Sequence, residues 1–258
     1  MRTGVRWVVV GAIALAGCAP PGSRLQMPRE VSTRDVLSRV AARVDTVRTV
    51  SASGRMSIVQ DGTRFDAKHR LLFQRPERFR IEVESKPFLG LFEAQAVLVA
   101  DGDSFSVYSP THDVVLEVSV AEDQDLLGGL KWVVLAGVRD VLLGLPRTCG
   151  VSSLQRTVRA GKDGKYEILL DTGAGTRILW VDSRSLLVEK VELRDDAGDL
   201  IVAGTYRYGS DDRLGPKRVE VQCPGSGAVI TLTYEQFEVN LEVDPSDFEL
   251  VVPADVRR

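Results

Sequence analysis

The side chains best suited to nucleophilic, acid–base or metal chemistry are Cys18, Cys149, Cys223, His69 and His112. Their spacing sets none of that chemistry up. Cys149 and Cys223 have no second cysteine or histidine at metal-ligand spacing. No Gly-x-Ser-x-Gly, His-Glu-x-x-His or phosphate-binding P-loop occurs. His69 stands on an apolar strand face, where the ordinary reading is a hydrogen-bonded core histidine; His112 follows Pro110 in a turn-like stretch. Aspartates and glutamates are plentiful but alternate outward along strands, as on a solvated face. The expectation is a protein that is not an enzyme and that holds no metal.

Cys18 has a different context. Arg2 and Arg6 precede an apolar run from Trp7 to Ala16, which is too short to span a bilayer and has the form of a secretory signal. The run ends in Leu15-Ala16-Gly17-Cys18, which resembles the bacterial lipobox. That resemblance implies cleavage after Gly17, a diacylglyceryl group on the Cys18 thiol and an N-acyl chain on its new amino terminus, with no other cofactor. The alternative is a plain secretory signal with an incidental cysteine. Ala19 follows, where an aspartate would favour inner-membrane retention, so the outer membrane facing the periplasm is the expected location. Residues 19–29, APPGSRLQMPR, read as a Pro/Gly tether. Fully extended it reaches about 40 Å at most, which holds the body near its membrane. The domain plan is a signal peptide over 1–17, a lipidated N-terminus and tether over 18–30, and one domain over 31–258.

Once Cys18 is acylated, Cys149 and Cys223 remain, and in an oxidising compartment they are candidates for a disulfide. It would close a loop of about 75 residues and contribute roughly 4 kcal/mol in the chain-entropy description. The other reading is two separate buried thiols. The net charge of −3 falls to about −5 without Arg2 and Arg6, which offers nothing to nucleic acid or to anionic lipid. The most hydrophobic later stretch, residues 125–146, contains Lys131, Arg139, Asp140 and a Gly128-Gly129 pair and does not read as a lipid-spanning helix.

The elements around these residues follow from periodicity. Residues 32–48 place Val36, Val40, Val44 and Val47 on one stripe of an amphipathic helix. From Val50 the period changes to two: Ala52, Gly54, Met56 and Ile58 alternate with Ser51, Ser53, Arg55 and Ser57. Asp61-Gly62 is a hairpin signal. In the next strands Phe65, Ala67, His69, Leu71 and Phe73, then Phe79, Ile81 and Val83, share one face. Arg78, Arg80 and Arg55 point to the other. A second helix over about 123–144 carries a wide stripe including Leu130, Trp132, Val134 and Val138, and strands resume after it. The end, DPSDFELVVPADV, reads as a tight turn that tucks Phe248 inward. About eleven strands and two helices point to an α+β, mainly β fold: a single curved antiparallel sheet with helices on its concave apolar face. The alternative is a flat sheet over an ordinary solid core.

The strand SASGRMSIVQ after the first helix, FQRPERFRIEV, LVADGDSFSVYSP and the closing DPSDFELVVPADV together resemble the LolA/LolB lipoprotein-carrier superfamily, over Val31 to Val256. The resemblance implies an incomplete β-barrel whose helices enclose an apolar, acyl-binding cavity. Met56, Phe65, His69, Phe73, Phe79, Ile81, Trp132, Val134 and Val138 are the candidate lining. Members of that superfamily accept and insert lipoproteins, carry or sense lipids, or serve envelope assembly. The expected function is binding and transfer of acyl chains of lipoproteins or lipids at the envelope. The alternative is a structural or accessory lipoprotein of an envelope assembly machine. The expected partners are membrane lipid, an acylated cargo and an envelope protein.

In the insertase branch of that superfamily a protruding loop carries an apolar residue that engages the membrane. The corresponding stretch here is KPFLGLF, with four apolar groups, Phe88, Leu89, Leu91 and Phe92. Three readings stay open for it: a buried crossover, a membrane or partner contact, and a cavity entrance.

Overall fold

Strict alternation in the sequence becomes one long antiparallel meander. The computed structural model describes residues 33–76, 78–84, 95–101, 104–110, 114–119, 141–146, 156–160, 163–171, 175–209 and 215–252. A helix, α1 (Thr33–Asp45), leads into β1 (Thr49–Gln60), β2 (Thr63–Gln74), β3 (Arg78–Glu84), β4 (Gln95–Asp101), β5 (Ser104–Ser109) and β6 (Val114–Ser119). The second run is β7 (Arg156–Ala160), β8 (Lys165–Asp171), β9 (Thr176–Asp182), β10 (Val188–Arg194), β11 (Leu200–Arg207), β12 (Arg218–Cys223) and β13 (Ala228–Val239). These thirteen strands among the described residues, where about eleven were expected, form a single sheet in the order β6-β5-β4-β3-β2-β1-β13-β12-β11-β10-β9-β8-β7. The alternating segments separated by short turns each became a strand, so none was merged with its neighbour. The sheet does not close into a barrel, because β6 and β7 end it on opposite sides.

The first and last strands meet at the centre, where β1 pairs with β13 from Val50↔Val239 to Val59↔Val229. Turn chemistry fixes the local register. Asp61 and Gly62 both take positive φ, 50° and 76°. A two-residue hairpin such as the one between β1 and β2 requires this. Side chains on the inward face align across strands. One apolar row runs Ile58, Ile230, Val221, Gly204, Val191, Leu179 and Ile168, each opposite the next. The sheet bends at register shifts, including one at Ser53/Gly54 where β1 meets β13.

The helix buries Val36, Val40 and Val44 of the expected stripe together with Leu37, and leaves Arg34, Asp35, Ser38 and Arg39 in water; it ends at Asp45, so Val47 is buried in the link to β1 and not on the helix. Its C-terminal end is tied to the turn after β2. The Arg75 guanidinium donates to Val44 O at 2.7 Å and Val47 O at 2.6 Å, and lies 3.1 Å from the Asp45 carboxylate. This supplies a hydrogen bond to the Val44 carbonyl and the positive charge that a helix C-terminus favours. Asn240, just after β13, donates its amide to Thr46 O and accepts from Arg48 N–H. Of the second expected helix, residues 141–144 fall within the described residues; Val141 and Leu142 are helical, the chain bends at Leu143 and Gly144, and Val141 to Pro146 are all buried. Near the C-terminus, Asp244 and Asp247 form a reciprocal capping box on the short 3₁₀ helix Pro245–Phe248, which buries Phe248 as expected.

Candidate functional site on the apolar face

Strands β1, β2 and β3 present one shared apolar face. Val50, Ala52, Gly54, Met56 and Ile58 lie opposite Phe73, Leu71, His69, Ala67 and Phe65, and β3 adds Phe79, Ile81 and Val83. Burial divides this face in two. Val50, Ala52, Leu71, Phe73 and Phe79 are buried. Met56, Ile58, Phe65, Ile81 and Val83 are only half-buried. Of the candidate lining residues, Met56, Phe65, His69, Phe73, Phe79 and Ile81 therefore do share one surface, whereas Trp132, Val134 and Val138 lie outside the described residues.

His69 sits at the border between the two halves and is 4% exposed. Its row is Val83, His69, Gly54 and Tyr234 across β3, β2, β1 and β13. A Cβ on Gly54 would collide with the Thr233 carbonyl oxygen at the bulge, so only glycine permits that approach. With no side chain between them, the His69 and Tyr234 rings meet edge to face at 5.3 Å. Tyr234 meets Phe237 in the same manner, also at 5.3 Å. Both are favourable aromatic geometries. The Tyr234 hydroxyl donates to Leu142 O at 2.9 Å. Burial holds that hydroxyl in its protonated form.

His69 itself has no such partner. Among the described residues, neither Nδ1 nor Nε2 has a hydrogen-bonding group within reach. This corrects the expectation of a hydrogen-bonded core histidine: the residue is in the core, but its neighbours on the face are apolar. Burial pushes its pKa down to about 4, against a smaller opposing pull from the Glu235 carboxylate. The imidazole is therefore neutral near pH 7, with one N–H donor and one acceptor.

The outward face is a ladder of ion pairs. Arg55 meets Glu235 at 2.9 Å, and Arg80 meets Glu82 at 2.7 Å while donating to Glu249 O. These arginines point away from the apolar face, as alternation requires. On the other half of the sheet, α1 packs against the turn before β10. Val40, Val44, Val47, Leu145, Leu187 and Tyr208 line a cleft of ≈ 10 Å³. Such a cleft holds one water at most. Gly144 takes φ 64°, and a side chain there would press on Tyr206 and Tyr208. Glycine adopts that backbone conformation without strain.

Cys18, Phe88, Leu89, Leu91, Phe92 and Cys149 lie outside the described residues. Cys223 ends β12, deeply buried, and burial pushes its thiol pKa up. Its expected bridge to Cys149 is outside the described region. Among the described residues no group of three His, Cys, Asp or Glu side chains is placed to hold a metal, and no helix is long and apolar enough to cross a membrane.

Sequence reading missed Tyr234. Ala228, Ile230, Leu232 and Tyr234 alternate, so its inward direction was legible. Its pairing beside Gly54 was not, because periodicity names a face and not a neighbour.

Solved structures share this architecture. A LolA superfamily protein from Nitrosomonas europaea superposes with a TM-score of 0.56 at 14% identity, covering 86% of this chain and 99% of that one. A DUF1329 family protein from Desulfovibrio piger gives 0.57 at 14% identity, covering 84% and 95%. A putative outer membrane lipoprotein-sorting protein domain from Vibrio parahaemolyticus gives 0.55 at 11% identity, covering 84% and 97%. At such identity the likeness establishes the fold, which is the incomplete barrel expected from the sequence. No sequence family and no curated protein matches the chain.

Proposed function

We propose that this chain is a lipid-anchored envelope protein that binds acyl chains of lipoproteins or other lipids on its apolar face and assists their transfer or insertion. The observation that carries the reading is the half-buried strip of Met56, Ile58, Phe65, Ile81 and Val83, continuous with a fully buried core. Hydrocarbon laid along it would gain about 25 cal/mol per Å² of apolar surface removed from water. The fold, shared with a lipoprotein-sorting domain, supports the same reading. In it, an acylated Cys18 and its tether keep the body near a membrane, with the outer membrane the favoured site. Phe88, Leu89, Leu91 and Phe92 are its contact loop. The protein acts by exchange of bound chains and needs no catalytic step.

A second reading, an accessory lipoprotein that carries nothing, draws support from the opposite half of the sheet. There Ile168, Leu170, Leu179, Val181 and Val191 are completely buried and the cleft beside α1 is water-sized. Mass spectrometry of non-covalently held lipid extracted from the purified protein, with displacement of a fluorescent fatty acid, separates the two. The carrier reading expects co-purified lipid and saturable displacement. Absence of both would sink it and leave the accessory role.

A further inference from the structure

His69 stands between Ala67 and Leu71 on the apolar face of β2. A neutral imidazole brings a donor and an acceptor that must be satisfied or leave a buried polar group unpaired. Among the described residues neither nitrogen is satisfied. Tyr234 meets the ring only edge to face and commits its hydroxyl to Leu142 O. The ring also stands where the buried half of the face gives way to the half-buried strip, opposite half-buried Val83 and four residues along β2 from Phe65.

We propose that His69 hydrogen-bonds the carbonyl of a bound fatty acyl chain, as free acid or ester, while the hydrocarbon covers Met56, Ile58 and Phe65. This rests on the acyl-binding reading above and adds a polar contact point to it. The strip from His69 to Phe65 is about 13 Å long at strand rise, a length that a long acyl chain spans. The chemistry of the point selects a neutral group. Among the described residues the charge that acts on the ring is Glu235, a carboxylate on the outward face paired with Arg55. A phosphate or ionised carboxylate would find no countercharge there, whereas a carbonyl can accept from the imidazole N–H and a protonated carboxyl can donate to the unprotonated nitrogen. The site thus distinguishes an acyl chain from plain hydrocarbon.

The chain has two histidines, so ¹⁵N-histidine labelling of the full-length protein gives two imidazole environments, and a His112→Gln variant identifies those of His69. Palmitic acid, methyl palmitate and hexadecane are the probes, with binding followed by displacement of a fluorescent fatty acid. The carbonyl-bearing probes are expected to shift the His69 nitrogen resonances, and hexadecane to leave them in place. His69→Leu should weaken the carbonyl-bearing probes about tenfold and hexadecane less than about twofold, the size expected for one buried hydrogen bond. His69→Gln should recover part of the difference. A response to palmitic acid alone assigns the site to free acids, and a response to both assigns it to acyl carbonyls generally. Binding of both with the His69 nitrogens unmoved overturns the contact but leaves the carrier reading standing. Binding of none overturns both. Where His69→Leu fails to fold, the wild-type resonances decide.

Discussion

The Tyr234 hydroxyl donates to the Leu142 carbonyl oxygen at 2.9 Å in a buried site, tying the last strand to a segment 92 residues earlier in the chain. Phenylalanine at 234 would keep the ring contacts and leave that carbonyl without its donor. Tyr234→Phe should cost about 1–3 kcal/mol, read as a lower urea midpoint at unchanged slope.

Gly54 is poorly placed to accept a side chain. A methyl group would collide with Thr233 O and come within 3.0 Å of Glu235 N, both backbone atoms that cannot swing aside. Gly54→Ala should destabilise by roughly 3 kcal/mol or more, because the central pairing of β1 with β13 must shift to admit it. A melting temperature within a few degrees of wild type would show that the bulge yields.

His69 makes stability pH-dependent in a definite direction. Its folded pKa is about 4 against an ordinary 6.5, so between these values the unfolded chain binds more protons than the folded one. Stability is full above pH 6.5 and declines as pH falls towards 4, by about 2 kcal/mol between roughly pH 7 and 5. The depressed carboxylates, such as Asp66, Asp182 and Asp244, lose their contributions at more acid pH and do not obscure this window. Urea midpoints at the two pH values should differ for wild type and not for His69→Leu; parallel losses in both would assign the effect elsewhere.

The two halves of the apolar face should respond differently to truncation. Leu179 is completely buried. Its replacement by alanine should cost about 2–5 kcal/mol. Ile58 lies in the half-buried strip. Ile58→Ala should cost only about 1 kcal/mol while weakening acyl binding several-fold, since less apolar area returns to water on unfolding. Denaturation and fatty-acid displacement on the same two variants test this pairing of effects.

The anchor is checked by fractionation. Cys18→Ser should move the protein from the membrane to the soluble fraction, since the thiol that would carry the diacylglyceryl group is gone. Retention in the membrane would show that another part of the chain holds it there.

Much of the fold could be read from local pattern. Alternation from Val50 placed Ala52, Gly54, Met56 and Ile58 on one face, the Asp61-Gly62 pair marked a hairpin, and the valine stripe of α1 gave its buried side. Phe248 tucked inward because Asp244 and Asp247 close the capping box around it. What local pattern does not contain is partnership. Nothing near Gly54 in sequence announces Tyr234, and nothing near Arg75 announces that it binds Val44 O at the end of α1 and Val47 O just beyond it. The state of His69 was illegible for a related reason. Its apolar face was clear, but whether a hydrogen-bonding group reaches it depends on strands and segments brought in from far along the chain.

The central position of β1 and β13 also sets a timetable. Arg55 and Glu235, partners across that seam, are 180 residues apart. A chain emerging from its N-terminus can zip β1 to β6 outward, yet the inner flank of β1 waits until nearly everything else has been made. Such long-range closure is slow and leaves one strand edge exposed meanwhile. For the exported protein proposed above, that delay is useful: the sheet cannot complete itself before the last strand has followed the first to the far side.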